Sequence, residues 1–118
     1  MTEREFWGFL EKRLEGGRAQ QVIGVISGIN PQAQAYLEGH VLLPKDYDKL
    51  CAEEILKMGN LLLQKDTGRK AKETIMMILA HQPSEIALTL LARYNLCADR
   101  GLEIFAQMAL EECTMWNE

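Results

Sequence analysis

The side chains that could do chemistry in this chain are few: three cysteines, two histidines, adjacent carboxylate pairs and one knot of basic residues. The stretch ADRGLEIFAQMALEEC, residues 98–113, sets Glu111 and Glu112 beside Cys113. A nucleophilic thiolate needs a basic neighbour or a helix N-terminus, whereas Cys113 falls near a helix C-terminus among glutamates, a setting that raises a thiol's pKa. Cys51, Cys97 and Cys113 are odd in number and lack CxxC spacing. They suggest neither a disulfide framework nor a zinc site, and read as buried reduced thiols. The pairs Glu53–Glu54 and Glu111–Glu112 are adjacent, so on a helix their side chains point about 100° apart and cannot share a proton on one substrate. His40 and His81 fall at helix ends, where imidazole caps carbonyls, and neither has an ExxH or HxxxH partner for a metal. Lys65, Arg69, Lys70 and Lys72 lack a glycine-rich phosphate loop or interleaved aromatics, and read as a solvated helix face. No catalytic residue, cofactor site or metal ligand is assigned on this reading.

The bulk composition is that of an ordinary globular chain: 118 residues, 47% hydrophobic, 25% charged, formal charge −4. This length is enough for one domain with its own core. Mild acidity argues against a dedicated nucleic-acid binder, which carries a strongly basic face. The first residues, Met-Thr-Glu-Arg-Glu-Phe, place charges where a secretion signal needs an apolar run. No apolar run approaches the roughly 20 residues that span a bilayer. A cytoplasmic location and no membrane contact are the expectation.

The elements that position these residues read as helices throughout. Thr2 and Glu5 make a capping box before Phe6, and the helix they start carries Phe6, Leu10 and Leu14, with Trp7 and Phe9 widening the apolar face until Gly16-Gly17. A second helix is predicted over 18–28, with Gly24 and Gly28 permitting close backbone approach. Asn30-Pro31 opens a third, which Gly39 ends. The segment His40-Val41-Leu42-Leu43-Pro44 is a connector, since proline forbids a central strand. Asp46 or Asp48 then caps a helix to about residue 64 with Leu50, Ile55, Met58, Leu62 and Leu63 on its buried side. Asp66-Thr67-Gly68 leads into a helix to about His81, Gln82-Pro83-Ser84 into one to about Asn95, and Asp99 starts the last, ending near Trp116. The prediction is all-α, with about seven helices and no strand.

A shift of 33 places brings Asp66-x-Gly68 onto Asp99-x-Gly101, Ile55 onto Leu88, Met58 onto Leu91, Gly59 onto Ala92, Leu63 onto Leu96, Ile75 onto Met108 and Met77 onto Leu110. Such register is the mark of helical hairpins that each dock on the next in the same way. On these residues the chain resembles HEAT repeats of the short variety: Asp99, Leu102, Ala106, Ala109 and Leu110 match the pattern of the second helix, and Asp66, Lys70 and Met77 match it in the first copy. The basic position after the turn is Lys70 in one copy and Glu103 in the other. A tetratricopeptide-like pattern, through Tyr94, Gly101 and Ala109, is the second resemblance.

The resemblance implies a short right-handed solenoid of antiparallel hairpins over residues 1–118, with 1–40 as N-terminal cap and degenerate repeat, 46–81 and 83–116 as repeats. It also implies a non-catalytic interaction or assembly module. The second helices of successive hairpins would present Lys70, Glu73, Thr74, Glu103, Gln107 and Glu111 to a protein partner. Terminal apolar residues Trp7, Phe9, Met115 and Trp116 offer a homodimer seam instead. The alternative is an accessory or lyase-type enzyme of the same architecture, which would need a pocket with perturbed acids.

Overall fold

The computed structural model describes residues 1–13, 30–43, 47 and 50–118. Among them run α1 (Glu3–Arg13), α2 (Pro31–Glu38), a 3-10 turn (Gly39–Leu42), α3 (Ala52–Leu62), α4 (Arg69–Ala80), α5 (Glu85–Leu96) and α6 (Glu103–Trp116), and no strand. The all-α expectation therefore holds for these residues. The helix expected over 18–28, the Gly16-Gly17 stop and the caps assigned to Asp46 and Asp48 lie outside the described residues. No helix among the described residues is long and apolar enough to cross a membrane.

Local chemistry sets most helix starts. Glu5 Oε1 accepts from Thr2 N–H at 2.7 Å while Thr2 Oγ1 accepts from Glu5 N–H at 3.1 Å, the reciprocal box that opens α1. The Asn30 side chain accepts from Gln32 N–H at 2.8 Å, with Pro31 in the first turn of α2. Ser84 Oγ accepts from Ala87 N–H at 3.4 Å to start α5. Two starts differ from expectation. The helix expected from Asp46 or Asp48 begins at Ala52, where Glu54 Oε1 takes the Cys51 N–H at 3.0 Å. The last helix begins at Glu103 rather than Asp99, because the Asp99 carboxylate is bound elsewhere and Gly101, at φ +90°, turns the chain first. Gly39 ends α2 as expected, as its C-cap. It continues the backbone into the 3-10 turn, and its lack of a side chain matters because a Cβ there would meet Met77 Cε at 2.9 Å.

Packing follows the apolar faces. α3 lies against α4 and α5, α6 lies against α5 and α4, and α4 also meets α5. α2 packs on α6, the 3-10 turn rests on α4, and α1, whose Phe6 and Leu10 are buried, touches α4. α4 is the shared neighbour. Nine of its twelve residues are buried, from Ala71 and Lys72 through Thr74 to Ala80. Of the buried side predicted for α3, Ile55, Met58 and Leu62 are buried, while Leu50 and Leu63 pack at its margin. On α6, Leu102, Phe105, Ala106, Ala109 and Cys113 face inward and Leu110 packs at the edge, with Glu103, Gln107, Glu111 and Thr114 outward, as the periodicity requires.

Candidate functional site: a histidine–glutamate corner

The six residues expected to meet a partner are divided by the fold. Lys70, Glu73 and Thr74 line one hollow with Ala35, Gly39, Met77 and Phe105, beside α2 and the turn after it. Thr74 is buried there and donates its hydroxyl to the Lys70 carbonyl at 2.9 Å, and the mostly covered Glu73 takes Arg69 Nε at 3.4 Å. Lys70 is exposed. Glu103, Gln107 and Glu111 are exposed along the outer side of α6. Hydrogen bonds from backbone N–H groups at its own position and at Gly101 hold the Glu103 carboxyl below its usual range. Of the apolar terminal residues, Trp7 and Phe9 pack against the core, whereas Met115 and Trp116 are exposed.

The basic knot is rearranged. Lys65, Arg69 and Lys72 are joined by Arg100 around a hollow of about 210 Å³, and Lys70 lines the other one. Lys72 is not on a solvated face. It is buried, its ammonium 2.5 Å from Asp99 Oδ2 and 5.7 Å from the Tyr94 ring centroid. Tyr94 donates its hydroxyl to the same oxygen at 2.6 Å. The hydrogen bond from Lys72, then that from Tyr94, holds the Asp99 carboxyl below its ordinary value. Burial, then donation to Asp99, raises the Tyr94 hydroxyl. Arg69 donates to the Gly101 carbonyl at 3.0 Å, so this region joins α4 to the start of α6.

The cysteines also separate. Cys113 is buried as expected, and its thiol is pushed up to about 11 by burial first. Cys51 and Cys97 are exposed, correcting the reading of buried thiols: one sits just before α3 and the other just after α5, at helix ends rather than on a packed helix face.

A second convergence of polar side chains was not legible as a local motif. His40 sits in the 3-10 turn, His81 caps α4 and Glu112 lies in the penultimate turn of α6. His40 Nδ1 lies 3.0 Å from the Tyr36 carbonyl and 3.2 Å from that of Leu37, and His81 Nδ1 lies 2.8 Å from the Met77 carbonyl. These are the carbonyl-capping roles expected of both residues. Their second nitrogens share a target. His81 Nε2 is 2.7 Å from Glu112 Oε2, and His40 Nε2 is 3.5 Å from Glu112 Oε1. Tyr36 donates its hydroxyl to Glu112 Oε1.

Aromatic rings enclose the corner. The two imidazoles meet edge to face at 4.9 Å between centroids, Tyr36 lies 5.2 Å from His40, and Tyr47 and Trp116 lie 5.6 and 6.3 Å from His81. Burial lowers the His81 pKa and His40 adds to this, while the Met77 carbonyl and the Glu112 carboxylate pull it upward. Burial, then donation to Glu112, raises the Tyr36 hydroxyl. The available signal was the angle between Glu111 and Glu112, which sends the first to solvent and the second toward the interior. Nothing in sequence spacing brings positions 40, 81 and 112 together. No protein-family model, curated protein or solved structure matches this chain.

Proposed function

We propose that the chain is a non-catalytic interaction or assembly module, built as a short right-handed solenoid of antiparallel hairpins similar to short HEAT repeats. The observation that carries this reading is that the first helices of the two pairs, α3 and α5, touch and that the second helices, α4 and α6, touch as well. In this chain the outer side of α6 bears the exposed Glu103, Gln107 and Glu111, and its carboxylates suit a basic segment of a protein partner.

The test is a photoreactive residue at position 107, used to capture the partner in cells. A double reversal, Glu103→Lys with Glu111→Lys, is expected to abolish the adduct while the helical circular dichroism stays that of the parent chain. An adduct of equal yield in the folded reversal variant removes this face from the reading. A second reading, a homodimer, is favoured by the exposed Met115 and Trp116 at the end of α6. Sedimentation of the parent chain at twice the monomer mass, abolished by Met115→Glu, selects it.

A further inference from the structure

His40, His81 and Glu112 are brought from three elements to one point. One ligand atom from each lies within 4.8 Å of the other two. A carbonyl oxygen can only accept, so the contacts to Tyr36, Leu37 and Met77 place the hydrogen of both imidazoles on Nδ1. A ring with its single hydrogen on Nδ1 turns the lone pair of Nε2 toward a carboxylate, which is itself an acceptor. Three acceptor groups facing one another call for positive charge between them. A second proton on either ring serves one contact, whereas a divalent ion serves all three at once.

The supports around these atoms are those of a metal site. An imidazole that binds metal through one nitrogen ordinarily donates its other N–H to a carbonyl or carboxylate, which fixes its tautomer and its aim. Both histidines do this to carbonyls of the helix that precedes them. The carboxylate is steadied by Tyr36, a buried residue. Ligands about 2.0–2.2 Å from a tetrahedral ion lie roughly 3.3 Å from one another. The separations of 2.7 and 3.5 Å run to the two different oxygens of Glu112, and one atom from each residue fits within 4.8 Å, so loading draws the three ligands closer together. His81 is almost wholly covered, whereas His40 and Glu112 reach solvent and leave an approach for the ion and a position for water.

We propose that His40, His81 and Glu112 bind one divalent transition-metal ion of the zinc class. Two imidazoles with one carboxylate favour zinc, cobalt or nickel over calcium or magnesium, which take oxygen ligands. Because the ligands belong to the turn after α2, the end of α4 and α6, the ion joins residues more than thirty positions apart and stabilises the folded chain over the unfolded one. This inference is independent of the partner surface on α6.

The test uses the untagged full chain, stripped of metal with a chelator and carrying Cys51→Ser and Cys97→Ser so that the exposed thiols do not bind the probe. Cobalt(II) is titrated and followed by its visible absorption and by quenching of Trp116, with Trp7 replaced by Phe. Zinc is then used to displace it, and the melting temperature is read with and without zinc. One ion per chain is expected, with tetrahedral or five-coordinate absorption, a raised melting temperature, and no response to magnesium. His40→Ala and Glu112→Gln, at partly exposed positions where the fold should survive, are each expected to weaken binding at least about 10-fold, and Tyr36→Phe to weaken it without changing the spectrum. Absence of cobalt absorption in the parent chain overturns the site, as does affinity unchanged in folded His40→Ala and Glu112→Gln.

Discussion

The ammonium of Lys72, buried in the middle of α4, lies 2.5 Å from Asp99 Oδ2 in the turn before α6, and Tyr94 donates to the same oxygen. This three-residue knot joins α4 to α5 and to the turn before α6. Removing the carboxylate with Asp99→Ala leaves a covered cation without its partner and is expected to cost about 2 kcal/mol, reduced from a fully buried pair because Asp99 is partly solvated. Lys72→Met in the same background is expected to recover most of that loss, measured by urea unfolding.

The sign of the acid response follows from the same pair. Asp99 is depressed in the folded chain by Lys72 and Tyr94, so the unfolded chain binds its proton first as the pH drops. The contribution is therefore complete above the unfolded value of about 3.9 and is lost as the pH falls through the lower folded value. Asp99→Asn is expected to flatten the stability profile below about pH 4, and a profile parallel to that of the parent chain would contradict the pairing.

Ala106 and Ala109 are buried on the face of α6 that meets the other helices. Ala106→Trp and Ala109→Trp are each expected to destabilise by about 1–3 kcal/mol through overpacking. Parent-like melting of both variants would take that face out of the core.

Gly68 and Gly101 occupy matching places in the 33-residue register but different backbone conformations, φ −65° and φ +90°. Gly101→Ala is expected to cost about 1 kcal/mol or more through the left-handed conformation, aggravated by Arg69 Nη1 only 3.0 Å from the new Cβ. Gly68→Ala is expected to cost less, since its backbone is ordinary and only the carboxylate of Glu3 must give way. Equal losses in thermal denaturation would contradict this difference.

Thiol chemistry distinguishes the three cysteines. Cys51 and Cys97 are expected to react promptly with a disulfide reagent at pH 8, and Cys113 only after denaturation. A thiol pushed up to about 11 is roughly one-thousandth ionised at that pH, and burial bars the reagent as well. Three equal fast phases in the native chain would be inconsistent with the packing of α6.

What the sequence made legible was local. Thr2 and Glu5, Asn30 and Pro31, and the alternation of faces along α6 act within one or two turns, so their neighbours in sequence determine their structure. Asp99 resembled a helix cap until Lys72, 27 positions earlier, took its carboxylate. The repeat register placed Met58 and Leu91 correctly as buried residues, but it equated Ile75 with Met108 and Met77 with Leu110, which differ in burial. The difference arises because α4 is surrounded and α6 has an open side. His40, His81 and Glu112 come together only through the docking of the turn after α2 and of α6 onto α4, information that no single helix carries.

The enclosure of α4 also governs how the molecule opens. Its peptide groups are shielded by α1, α3, α5, α6 and the 3-10 turn, so fraying at the chain ends does not expose them. Amide deuterium uptake there is expected to await cooperative loss of the fold, with the slowest exchange among the described residues in this one central rod.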